Sequence, residues 1–252
     1  MHGRELSGRV QSMMPALRTR LSGINPPSQT EASFAAVDIS SNFNMSDRLS
    51  LLDVNLSAIE RQIVKHGTVP FDLRQTHPLR AVVVGTEGKQ PINLPKAVGG
   101  ILIGEAPTSL LFLHACARPA ANRESIRLIW DQQDTADLLG WYEIVYEDGF
   151  FTALPIRYGV NILEWNWKSR VSAHDYCYSA DAIELGTGNK ESITFFAYEW
   201  MNSRLGKVIR EIRLKGTTGF RGGSDDFNNQ YGPVLESNAV ILTAVSMVKK
   251  RG

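Results

Sequence analysis

Between Glu164 and Tyr176 the sequence reads EWNWKSRVSAHDY, which puts two tryptophans beside groups that can donate or accept hydrogen bonds. Trp165 and Trp167 share one parity across a strand end, and Asn166, His174, Asp175 and Tyr176 follow closely. Broad rings with a few polar groups nearby suit a ligand that has a flat apolar face and a polar rim. These six residues form the leading candidate for a ligand surface, with the two indoles equally open to a place in the core. A second acidic stretch, Ser224 to Asn228 together with Glu236, offers carboxylates at Asp225, Asp226 and Glu236 that could ligate Ca²⁺ through oxygen. Its spacing matches no EF-hand, and a solvated Gly-rich loop is the preferred reading.

Other residues carry less chemistry. His114 lies alone among apolar neighbours in LLFLHACA and lacks the spaced partners of a zinc site, so a hydrogen-bonded core histidine is expected. Cys116 and Cys177 also sit in strand-like runs, which fits two buried thiols better than a disulfide or a metal pair. Glu143 and Glu147 share a strand face roughly 13 Å apart, too far for a retaining carboxylate pair unless another strand contributes. G-x-S-x-G, G-x-x-x-x-G-K-[ST], H-E-x-x-H and G-x-G-x-x-G are all missing from the sequence, so no easily read hydrolase, nucleotide or metalloprotease motif stands in it.

The elements that must position these residues are short. FAAVDIS, TVPFDLR, RAVVVG, GGILIG, SLLFLHACA, SIRLIW, WYEIVYEDG, FTALPIRY, ITFFAYEW, VIREIRLKG and AVILTAVSMV alternate or run apolar between turn residues, as strands do. Asp148-Gly149 between WYEIVY and FFTALPIRY predicts a hairpin, with Tyr142, Ile144 and Tyr146 on the inward face. In ITFFAYEW the face of Phe196, Tyr198 and Trp200 is assigned to the core, while Trp130 and Trp141 suit either a core or an exposed platform. VIREIRLKG mixes the two parities and still fits a strand. The spacing of Leu49, Leu52, Leu56, Ile59 and Ile63 predicts a helix over 47–66, with Ser46 or Asp47 as N-cap and Gly67 as its stop.

A chain of 252 residues with 43% hydrophobic residues has material for one sizeable core. Residues 1–32 are expected to form a short helix and a Pro-rich linker, and residues 33–252 an antiparallel, all-β sandwich of jelly-roll type. A net charge of +1 with scattered basic residues argues against a nucleic-acid partner. No apolar run is long enough for a membrane-spanning helix.

The order of VDIS-x-x-x-N (Val37 to Asn44), G-x-V-P-F-D-L (Gly67 to Leu73), LFLHA (Leu111 to Ala115), GWYEIVYEDG, LPI-x-Y-G-x-NI-x-x-W (Leu154 to Trp165), Y-E-W-x-N (Tyr198 to Asn202) and I-x-x-I-x-L (Ile209 to Leu214) resembles the galactose-binding-domain-like β-sandwich modules of bacterial glycoside hydrolases. The resemblance covers roughly Ser33 to Val248. It implies a jelly-roll accessory domain that is not itself the hydrolase, an oligo- or polysaccharide ligand, and a structural Ca²⁺ as an accompanying ion. It also implies an extracellular or periplasmic setting, although the chain shows no signal peptide, and a neighbouring catalytic domain joined through the Pro-rich tether. Trp165 matches the family's recurring tryptophan, which closes the end of the core. The stretch CARPAANRESIRLIWDQQDTADLL is longer than the family leads one to expect, and GFRGGSDDFNNQYG is elaborated. Two other functions are open: a carbohydrate-active hydrolase or lyase using Glu164, Asp175 or Glu199, and a structural domain or homodimer in which aromatic faces meet protein.

Overall fold

The computed structural model describes residues 32–57, 59–74, 78–85, 93–117, 138–167, 177, 179–186, 193–217 and 238–250. Phe34–Val248 form one compact unit. Its strands are β1 (Ala32–Val37), β2 (Arg48–Leu49), β3 (Val54–Asn55), β4 (Ile63–His66), β5 (Val69–Asp72), β6 (Val82–Gly85), β7 (Ala97–Glu105), β8 (Ser109–Ala117), β9 (Leu138–Tyr146), β10 (Phe151–Arg157), β11 (Asp181–Leu185), β12 (Ile193–Met201), β13 (Ile209–Gly216) and β14 (Ala239–Lys250). The protein is all-β and its strand pairing is antiparallel, consistent with a β-sandwich. The expected N-terminal helix and linker, and the run SIRLIW, lie outside the described residues.

Two sheets carry the unit. One runs β1-β14-β8-β12-β11, with β6 also paired to β14; the other runs β10-β9-β13-β7. The inward faces of both meet in one core, where Leu110, Phe112, Phe196, Val240 and Leu242 pack with Ile101, Tyr142, Ile144, Tyr146, Ile156, Ile212 and Leu214. Tyr142 stacks on Phe112 with ring centroids 4.1 Å apart. Tyr142, Ile144 and Tyr146 are thus inward, as their parity requires. Tyr198 and Trp200 pack partly buried against the same core.

The larger sheet is buried on its other face too. Leu111, Leu113, Ala115, Phe195 and Ile241 form a second cluster with Met45, Leu52, Val54, Leu56, Ile59 and Phe71. A strand covered on both sides has no polar face to show, which is why SLLFLHACA reads as a continuous apolar run and all nine of its residues are buried.

The cover over that second face is the segment read from sequence as a helix. Among its described residues there is no α-helix. Instead β2, a 3-10 turn at Ser50–Leu52, β3 and the β4–β5 hairpin lie in succession. Asp53 adopts a left-handed conformation (φ 53°), and the Asn55 side chain accepts from the Ser57 amide and hydroxyl. Short polar side chains that bond their own backbone stop helix propagation, and the leucines reach the sheet from turns.

The hairpin expected at Asp148-Gly149 is present. Gly149 takes φ +85°, the Tyr146 amide donates to the Phe150 carbonyl, and β9 and β10 pair from Val145↔Phe151 onward.

Candidate functional site on the outer face of the smaller sheet

The indole pair that led the sequence reading is core. Trp165 is 8% exposed and packs in the second cluster; Trp167 is 1% exposed and packs between the sheets. The chain turns through 165–167 rather than continuing extended, so two tryptophans of one parity go to opposite sides of the larger sheet. A ring so enclosed has no face on which a ligand could stack. Asn166 is half-buried, and His174, Asp175 and Tyr176 lie outside the described residues, as do Asp225, Asp226 and Glu236. Among the described residues no group of three or more His, Cys, Asp or Glu is placed to hold a metal ion.

The carboxylates considered for hydrolysis do not converge. Glu164 is buried and accepts a hydrogen bond from the Tyr158 hydroxyl. It bridges to Cys116, whereas Glu199 pairs with Leu111 at the far part of the same strand. Five residues of strand separate these positions by roughly 16 Å, beyond the spacing of either glycosidase class. Asp175 lies outside the described residues.

His114 is a satisfied core histidine. Nε2 is 2.8 Å from the Asn161 carbonyl, which can only accept, so the ring proton sits there and Nδ1 accepts from the Tyr142 hydroxyl at 2.8 Å. Both cysteines are buried free thiols.

The smaller sheet places a different set together. Its inward face is in the core, while its outward face carries three cross-strand rows. Pro155, Trp141, Lys215 and Ala97 make the first, and Phe151, Val145, Glu211 and Leu102 the third. Between them lie Ala153, Glu143 and Arg213, with Gly99 against the Arg213 stem. Ala97, Gly99, Ala153 and Pro155 are exposed, so the half-buried Trp141 lies among small residues on an open surface.

One bulge in β13 creates this set: Ile209 and Glu211 oppose the consecutive β9 residues Tyr146 and Val145, so Arg210 is the extra residue. That extra residue shifts the parity by one. Ile209, Ile212 and Leu214 therefore stay inward while Glu211, Arg213 and Lys215 turn out. Gly140 permits the close approach of β9 to β13, since a Cβ there would lie 2.1 Å from the Lys215 carbonyl oxygen.

The polar groups are interlocked. Glu143 accepts from Lys215 Nζ at 2.6 Å and from the Trp141 indole N–H at 3.3 Å, which holds the ring in orientation along its strand. Arg213 lies 3.8 Å from Glu143 and donates to Glu211 at 2.7 Å; Arg210 and the Gly100 amide also donate to Glu211, each at 3.0 Å. Partial burial pushes the Glu143 carboxyl upward, but hydrogen bonds from Lys215 and Trp141 and the charges of Lys215 and Arg213 outweigh it. The net shift is below the ordinary value. Glu211 is likewise lowered: burial raises it, and Arg213, Arg210 and the Gly100 amide more than compensate. Both stay ionised at neutral pH.

The resulting surface can offer a ring for stacking, carboxylate acceptors, and guanidinium and ammonium donors. Comparison with protein-family models, characterised proteins and solved structures finds no match. The fold defines the chain as an all-β protein with antiparallel sheets.

Proposed function

We propose that this chain is a noncatalytic β-sandwich module that binds an oligo- or polysaccharide on the outer face of its smaller sheet. The resemblance to galactose-binding-domain-like accessory modules of glycoside hydrolases supports the ligand class. In this reading the fold is a jelly roll and a neighbouring catalytic domain is the functional partner. The observation that carries it is Trp141, held by Glu143 and surrounded on an open sheet face by small residues and charged hydrogen-bonding groups. A sugar presents apolar C–H faces to such a ring and hydroxyls to the groups around it.

A noncatalytic role fits the charge state of the face. A glycosidase needs one carboxylic acid kept protonated near neutral pH. Glu143 and Glu211 are both lowered by their cationic neighbours, so neither is prepared to donate a proton.

The test is calorimetric titration against a panel of glycans with the native chain, Trp141→Ala and Trp167→Ala. Trp141→Ala should weaken binding about tenfold, the size of one lost stacking contact, and leave the thermal midpoint almost unchanged. Trp167→Ala should chiefly lower the midpoint. Equal affinity in Trp141→Ala and the native protein, or release of reducing ends from any glycan, defeats the proposal.

A further inference from the structure

Trp141 is not the only ring on the outer face. Phe151 is 59% exposed and stands on the same side of the sheet, opposite Val145, four residues along β9 from Trp141. With a rise of about 3.4 Å per residue and about 4.8 Å between strands, the two positions are roughly 14 Å apart. No single pyranose ring reaches both. The neighbouring Phe150 is engaged differently: the Arg204 guanidinium lies 4.4 Å from its ring centre and 4.7 Å from that of Tyr146. Phe151, paired with Val145 on the outer face, is the ring of this pair that stands in line with Trp141.

Between the rings lie Glu143 and Arg213, both half-buried, with exposed Ala153 and Gly99 at their flanks. Gly99 lies beside the Arg213 stem, where a Cβ would come into contact at 3.4 Å. Polar groups in the middle and apolar rings at each end, on a surface kept low by small side chains, match an extended ligand better than a compact one.

Resting on the saccharide reading above, we infer that the face takes an internal stretch of a linear polysaccharide, lying parallel to β9 with one sugar on Trp141 and another on Phe151. The intervening sugars meet Glu143 and Arg213 through their hydroxyls. A blind pocket would select a chain end; here exposed Ala97, Ala153 and Pro155 on the two edge strands keep low the sides of the path that joins the rings.

The test is titration with cello-, xylo-, manno- and galacto-oligosaccharides, each from the monosaccharide to the hexasaccharide. For the series that binds, affinity should climb about tenfold or more with length and level off once the chain spans both rings. Phe151→Ala should flatten that climb without changing affinity for the shortest ligand that binds, while Trp141→Ala weakens every length. Phe151 is exposed, so its removal leaves the core intact and the thermal midpoint serves as control. Equal affinity for short and long members, or a Phe151→Ala protein that keeps the full length dependence, overturns the extended mode and leaves saccharide binding standing. Failure of every series at every length refutes both.

Discussion

Acidification from pH 7 to 5 should destabilise this protein through one residue, His114. Its ring is fully buried between the sheets, where the neutral form satisfies both nitrogens and a charged form would be stripped of water. Burial pulls its pKa from 6.5 to about 4, with the Asn161 carbonyl acting in the opposite direction. The sign follows directly: the unfolded chain takes up a proton near pH 6.5, and the folded chain resists until about pH 4. The stabilisation is therefore complete above pH 6.5, is lost as pH falls through the window, and is flat below about 4. A gap of about 2.5 pH units corresponds to roughly 3 kcal/mol in all, somewhat more than half of it lost by pH 5, with a limiting slope of about 1.4 kcal/mol per unit. That is a large part of the 5–15 kcal/mol typical of a folded domain. Urea unfolding at intervals between pH 7 and 5 measures it, above the range in which the salt-bridged carboxylates titrate. His114→Gln should lose about 1–3 kcal/mol at pH 7, because two buried partners are poorly served. Its remaining stability should depend far less on pH in the window. Parallel slopes for native and variant proteins would refute the assignment.

Two further outcomes are expected. Gly140→Ala puts a methyl 2.1 Å from the Lys215 carbonyl oxygen, so β9 and β13 must separate; a loss of about 3 kcal/mol or more should appear in thermal melts, together with weakened glycan binding because Trp141 is the next residue. Burial holds the Cys177 thiol up at about 12, and Cys116 is wholly buried. Neither should react with a disulfide reagent at pH 8 until denaturant is added, and rapid modification of the native protein would contradict their placement.

Several features were legible in the sequence because local chemistry decides them. Alternation in WYEIVY placed Tyr142, Ile144 and Tyr146 inside, and Asp148-Gly149 fixed the turn between β9 and β10. The solitary His114 was legible as a core residue, and the two cysteines as buried thiols. The helix over 47–66 failed for an equally physical reason. Apolar spacing alone did not outweigh Asp53, which takes a left-handed conformation, and Asn55, whose side chain accepts from the Ser57 amide; together they break the segment into turns that face the larger sheet.

The ligand surface was less legible. Trp165 and Trp167 attracted attention by parity, but parity has meaning only while the chain remains extended, and here it turns. Trp141 was open to either role, and its significance depends on neighbours from three other strands.

By itself, then, the sequence determined that this chain builds antiparallel strands around paired apolar faces, since period-two alternation and turn residues act over a few residues. Tertiary structure alone decided which tryptophan reaches the surface and which charges surround it. The bulge in β13 and the register of β7, β9, β10 and β13 bring Glu143, Glu211, Arg213 and Lys215 together across long sequence separations. No local pattern encodes a pairing between strands so distant along the chain; it arises when the two sheets close on their common core.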